Sequence, residues 1–394
     1  LGQAPLHTLA PGEAVRSAAL ERALLLTDER AGVSTRATLA PGQSTGLTDL
    51  LINIEREPAV DGALLIDNGG NRFTGANRGL LTLAINNTAG FGERLNLMVL
   101  ASDGEQQFYS AGVDLPLGQW GTSIGGSYSW LTYELGEDFS YLDSHGTAST
   151  GSLYVRQPLI ARRALWLDVK LSREWRSLHD EVDLVGTESK NRYRVNTLTV
   201  EGNNRDHFFG GGLNAFSLSW AHGSLNILST EDQNADRLGP DAIGDFNAIR
   251  PVLMRLQRLN NDFSLYLRLR GQWADGNLGG GEKFGLGGSE GVRAYPQGEA
   301  QGDLGWLANS ELKYRLTSSW QLSALYDYGS VKVNKDRWDD SDNYRHLSSA
   351  GIAAAYNWRS LALSLSSSWK TGDEDAESDD DKSPRFWAKA NWQF

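Results

Sequence analysis

Cysteine is absent from all 394 residues, which removes disulfides and thiolate metal sites together. No uninterrupted apolar run approaches the ~20 residues that a membrane-spanning helix needs. The longest candidates are short pieces such as Ala23 to Leu26 and Leu97 to Ala101, so helical spans are excluded. Positive charge is in deficit, with 37 Lys and Arg against 49 Asp and Glu and a net charge of -12. That excludes nucleic acid as the main partner, because phosphate binding needs a basic footprint. The six His residues show no H-E-x-x-H spacing, so a helical zinc site has no support and no metal or other cofactor is expected. A Walker-type phosphate loop is also missing, which implies work done without nucleotide hydrolysis. Neither a charged n-region nor an apolar h-region follows Leu1-Gly2-Gln3, and a signal peptide is expected to have been removed.

What is present is alternation. A closed barrel can live in a bilayer because every backbone donor and acceptor pairs between strands, and its chain reads as polar because alternate residues face the lumen. From about Ala76 onward, segments of roughly ten residues alternate in character and are broken by turn residues. Leu81, Leu83 and Ile85 share one face of a strand, as do Leu95, Leu97, Val99 and Ala101. Leu165, Leu167, Val169 and Leu171 repeat the pattern. Phe263, Leu265, Leu267 and Leu269 interleave with Ser264, Tyr266, Arg268 and Arg270, sending apolar groups to lipid and polar groups inward.

Short links such as Pro116-Leu117-Gly118 and Asn260-Asn261-Asp262 alternate with long polar ones at 134–144, 231–245 and 336–346. One segment near Asp61, roughly ten more to Trp273 and about five beyond give a 16-stranded antiparallel transmembrane β-barrel. A soluble β-sandwich would have strands averaging about 5 to 6 residues, shorter than these. Thirteen Trp are available for interfacial girdles.

The last segment, Arg385 to Phe394, places Phe386, Ala388, Ala390, Trp392 and Phe394 on one face. It resembles the terminal signal by which outer-membrane proteins reach the barrel assembly machinery. The opening differs: Ala18 to Leu26 reads as a helix. Two strands then alternate through Val33, Thr35, Ala37 and Leu39 and through Leu50, Ile52 and Ile54, joined by a turn at Pro41-Gly42.

The stretch Phe284-Gly285-Leu286-Gly287-Gly288, then Gly291-Val292-Arg293-Ala294-Tyr295-Pro296, resembles the inward-folding loop motif of BamA-superfamily transporters. Asp303, Glu311 and Tyr326-Asp327-Tyr328-Gly329 follow in that order, and Asp67-Asn68-Gly69 with Thr74-Gly75 resembles the start of such a barrel. Within the superfamily the chain is most similar to the two-partner secretion transporters, the TpsB-type haemolysin secretion/activation proteins. The resemblance implies that 1–58 is a partial second POTRA domain, lacking its first strand and helix, that 59–394 is the barrel, and that a loop at about 276–302 folds inward. A first POTRA and an N-terminal plug helix, usual in the family, are not visible.

In the family the loop arginine pairs with the aspartate of the later strand motif. Carried over, this gives Arg293 with Asp327 and Glu311 as a second acceptor; a guanidinium suits the task because its planar fork holds a carboxylate bidentately. One departure is Ala294, where the usual motif has Gly, which disfavours a positive φ there.

Gly287-Gly288-Ser289-Glu290-Gly291 matches G-x-S-x-G in letters, but that motif needs a strand, a sharp turn and a helix. No catalytic residue is expected. The acidic run from Asp373 to Asp381 reads as a solvated external loop, with divalent-cation or lipopolysaccharide bridging as the lesser alternative.

The resemblance implies an outer-membrane transporter, its POTRA segment in the periplasm, that secretes a partner exoprotein (haemolysin, adhesin or contact-dependent toxin) in extended form. A passive porin-like channel and the barrel of a patatin-type autotransporter are the competing readings. Outer-membrane lipids and lipopolysaccharide are the expected surroundings.

Overall fold

The computed structural model describes residues 4–9, 15–43 and 47–394; the opening Leu1-Gly2-Gln3 lies outside them. Helix α1, Ser17–Asp28, is built from good helix formers and buries Ala23, Leu26 and Thr27. Strands β1, Val33–Pro41, and β2, Thr48–Arg56, pair antiparallel as a separate two-stranded sheet.

Sixteen antiparallel strands then close into one barrel, the number expected from the alternation. They are β3 (Val60–Asp67), β4 (Arg78–Asn86), β5 (Arg94–Ser102), β6 (Gln107–Leu117), β7 (Thr122–Glu134), β8 (Ser144–Arg162), β9 (Leu165–Val182) and β10 (Thr187–Asp206). After these come β11 (Gly212–Ile227), β12 (Gly244–Arg258) and β13 (Phe263–Ala274). Two-residue strands β14 (Phe284–Gly285) and β15 (Gln301–Gly302) pair with each other outside the barrel wall. The wall resumes with β16 (Leu304–Arg315), β17 (Trp320–Lys332), β18 (Tyr344–Trp358), β19 (Leu361–Lys370) and β20 (Arg385–Gln393).

The last strand meets the first, Lys389 to Gln393 against Asp67 to Ala63. Where β3 ends, the Asn68 side chain continues the seam: it donates to the Phe386 carbonyl at 3.0 Å and accepts from the Ala388 amide at 2.8 Å.

Alternation sorts the wall. Leu267, Leu269 and Trp273 of β13 are exposed outward while Gln272 and Ala274 are buried inward. Phe386, Trp392 and Phe394 lie on the outer face of β20, whereas Trp387 turns inward. Pro116 and Leu117 belong to β6 and not to a turn, because both remain in register opposite Ser123 and Thr122. The segment after Ile227 contains a short helix α2, Thr230–Leu238, where polar loop was expected. Ser229 caps it by accepting from the Asp232 amide, and Glu231 and Asp232 suit its positive end.

Helix α1 docks on the short-turn rim. A register shift in β8 between Pro158 and Ile160 disturbs the ladder there, and Arg22 takes the carbonyls of Pro158 at 3.0 Å and Leu159 at 3.3 Å. Glu29 accepts from Arg156 at 3.0 Å, Arg30 donates to the Gly118 carbonyl at 2.6 Å, and Glu21 accepts from the Arg163 amide at 3.0 Å.

Candidate functional site

Between β13 and β16 the chain does not stay outside. Leu286, Val292, Ala294 and Tyr295 pack against Leu307, Val331 and Leu347, which point inward from β16, β17 and β18. The path is tight: a Cβ on Gly291 would lie 2.0 Å from the Leu286 carbonyl oxygen, so no other residue fits without moving the backbone. Ala294 is buried and is not among the residues of positive φ, so the departure from glycine costs no strain at this position.

Three polar anchors hold the segment. At the first, Asn309, Asp327 and Ser349 stand side by side on the inner face of β16, β17 and β18. Arg293 reaches Asp327 with Nε at 2.9 Å and Nη2 at 2.6 Å, a bidentate pair, and its own amide adds a third bond at 3.1 Å. Asn309 and Ser349 donate to the same carboxylate at 2.8 and 2.9 Å. Asp327 is fully buried, and five donors satisfy it. Arg293 Nη1 donates to Glu311 at 2.6 Å, and Glu311 is balanced by Lys313 at 3.1 Å. From β20, the Trp387 indole donates to the Arg293 carbonyl at 2.8 Å.

The second anchor lies at the start and finish of the segment. Buried Glu282 meets Arg250 at 2.5 Å and Arg176 at 3.2 Å. Buried Asp303 meets Lys283 at 3.2 Å and accepts from the amides of Leu278 at 3.1 Å and Lys335 at 2.8 Å.

The third anchor involves the acidic run. Glu299, 1% exposed, pairs with Arg345 at 3.1 Å and accepts from the amides of Glu377 and Ser378 at 3.0 and 2.8 Å. Arg345 also holds Glu374 at 2.8 Å, and Tyr295 donates its hydroxyl to the Glu374 carbonyl at 2.8 Å. Burial pushes the Tyr295 hydroxyl up to about 12, so it remains a donor throughout the neutral range. The expected solvated loop is therefore partly a strap across the packed segment: the exposed Glu377 carboxylate pairs with Arg345 while its amide is bound to Glu299.

Replacing Glu299 by alanine is expected to free that strap. Hydrogen bonds to a charged group contribute about 1.5 to 3 kcal/mol, so proteolysis within 371–384 should quicken by roughly tenfold or more. Cleavage at the wild-type rate would rule out the strap.

Ser289 lies inside the barrel in a turn with no following helix, whereas His346 stacks on Tyr344 on the outer face. The wall separates the two, and no hydrogen bond joins them among the described residues. Sequence reasoning missed Asn309, Ser349, Glu282, Glu299 and Trp387. The signal for Trp387 was present, since it alternates with Phe386 and Ala388.

A family model described as "Haemolysin secretion/activation protein ShlB/FhaC/HecB" matches residues 46–357. The "Heme/hemopexin transporter protein HuxB" of Haemophilus influenzae is 30% identical over 323 residues, 80% of this chain and 57% of that protein. The "Outer membrane transporter CdiB" of Escherichia coli is 26% identical over 322 residues, 76% of this chain and 50% of that protein. The chain thus spans little more than half the length of these relatives. Among solved structures, CdiB from Escherichia coli superposes with a TM-score of 0.80 at 18% identity, covering 97% of this chain and 72% of that one. BamA from Haemophilus ducreyi gives 0.63 at 14% identity, covering 98% and 80%.

Proposed function

The chain belongs to the haemolysin secretion/activation family of outer-membrane barrels, and on that premise we propose that it carries a partner exoprotein in extended form from periplasm to cell surface. The packed segment carries this reading. A lumen holding a loop clamped by a buried Arg293 to Asp327 pair is a gated passage and not an open pore. Without nucleotide hydrolysis, transport draws on unfolded cargo entering at the short-turn rim, which is periplasmic, and on its folding outside.

The N-terminal helix and strand pair act as the remainder of a second POTRA domain through about residue 58, lacking its first strand and helix. Residues 59–394 form the barrel, with the inward loop at about 276–302. Gly291 to Tyr295 form the loop motif, and Arg293, Asp327 and Glu311 its ion-pair centre. Phe386, Trp392 and Phe394 are exposed on the outer face of the last strand, with the Trp392 and Phe394 rings 5.0 Å apart, where the barrel assembly machinery would read them. The cargo is a haemolysin, adhesin or contact-dependent toxin.

Deleting the gene in its host should remove one large exoprotein from the medium, and the full-length transporter supplied in trans should restore it. An unchanged exoprotein profile, together with small-solute conductance in planar bilayers, would instead identify a diffusion channel.

A further inference from the structure

Strands β8, β9 and β10 contain 19, 18 and 20 residues, against the ~9 to 11 that cross a bilayer. Their upper parts therefore leave the membrane on the long-loop side, which is extracellular. On the outer face of β9 the sequence runs Leu167, Val169, Leu171, Arg173, Trp175, Ser177, His179 and Glu181, from an apolar belt through one tryptophan into polar residues. Tryptophan marks the headgroup level. On β10 the same face carries Leu198 and Val200 within the belt, then Asn196, Arg194 and Arg192 above it.

Register places Arg194 opposite Trp175, Arg173 opposite Asn196 and Arg192 opposite Ser177. The three guanidinium-bearing residues are thus successive diagonal or same-face neighbours, with backbones about 7 Å apart. All three are exposed, and among the described residues no carboxylate or hydrogen-bond acceptor engages any of them. Arg173 lies 5.3 Å from the Trp175 ring.

Nearby acids are used elsewhere. Glu174 faces inward with Arg176, and farther out His179 sits between Glu181 at 3.0 Å and Glu188 at 2.6 Å. Three unpaired like charges side by side repel one another unless an anion joins them, and the outer belt is otherwise apolar. At that depth the anion is a lipid headgroup.

We infer that Arg173, Arg192 and Arg194, beside Trp175, form a binding site for the phosphates of an outer-leaflet glycolipid, the lipid A portion of lipopolysaccharide. Guanidinium forks suit phosphate oxygens, and Leu171, Leu198 and Val200 offer the acyl chains an apolar wall below. The site is independent of what the barrel exports.

The test is titration of the purified chain in detergent with lipid A, in phosphorylated and dephosphorylated forms, followed by native mass spectrometry. An arginine near an anionic surface contributes roughly a factor of five, so the combined Arg173→Gln, Arg192→Gln, Arg194→Gln variant should bind phosphorylated lipid A about a hundredfold more weakly. A charge-matched control at the opposite rim, Arg162→Gln, Arg163→Gln, Arg205→Gln, should bind like the wild type. Both variants should keep the heat-modifiable gel mobility of a folded barrel. Undiminished binding by the first variant, equal loss in the control, or equal affinity for dephosphorylated lipid A would each overturn the site. Displacement of the lipid by millimolar inorganic phosphate would show an anion site without lipid specificity and also overturn it.

Discussion

Arg293→Ala is expected to cut exoprotein export at least about tenfold while leaving the barrel folded in the membrane. Removing one partner of a buried ion pair destabilises by about 3 to 5 kcal/mol, because the remaining charge is stranded. Here the stranded group is Asp327, fully buried and left with Asn309, Ser349 and the residue 293 amide as donors. At 1.4 kcal/mol per decade, the ratio of packed to released loop should fall by roughly a hundredfold or more. The barrel wall keeps its ladder, since neither side chain carries a strand-to-strand backbone bond.

Asp327→Ala should be comparably damaging, because it strands Arg293 with Glu311 alone. The combined Arg293→Ala, Asp327→Ala variant should be no worse than either single change, and its loop no more accessible, since both changes remove one interaction. Proteolysis of 275–303 in intact cells, read beside exoprotein in the medium, checks both statements. Additive losses, or full export with a freely cleaved loop, would mean that the pair does not set the loop's position.

The barrel was legible because two-residue periodicity is a strong local signal. Each strand such as Phe263–Ala274 declares its faces without reference to any neighbour, and counting such segments gave the number of strands. The loop motif was legible only through family resemblance. Nothing in the spacing of Arg293 and Asp327, 34 residues apart, says that they touch.

The other anchors were not legible at all. Glu282 and Glu299 are ordinary loop glutamates in sequence, and their burial depends on Arg250, Arg176 and Arg345, which reach them from distant strands. The acidic run looked solvated because charge density implies exposure, but its backbone amides at Glu377 and Ser378 do the holding. Local pattern reports which face a side chain takes. It does not report what comes to meet it.

A second large loss is expected from Ile52→Pro, on the proposal that cargo adds as a strand to the N-terminal sheet. The Gly42 amide bonds the Leu47 carbonyl at 3.0 Å and the Glu57 amide bonds the Gly32 carbonyl at 3.1 Å, which fixes the phase of the β1 and β2 ladder. Residues 49, 51, 53 and 55 therefore turn their backbone groups toward β1, and Leu50, Ile52 and Ile54 turn theirs to the open edge. The same phase leaves Thr35 facing away from β2, where its amide takes Asp28 at 2.6 Å, so that side of β1 is already occupied. Capture thus falls to β2. Proline at 52 deletes one outward donor and obstructs an incoming strand, yet removes no bond to β1. Export should drop about tenfold or more while α1 docking and the barrel are untouched, since an added strand is held mainly by main-chain hydrogen bonds. Leu51→Pro, which breaks the ladder itself, is the contrasting variant: it should destabilise the module and lower its resistance to protease, which Ile52→Pro should not. If Ile52→Pro exports at the wild-type level, strand addition at β2 is wrong, and cargo must be recognised through side chains instead.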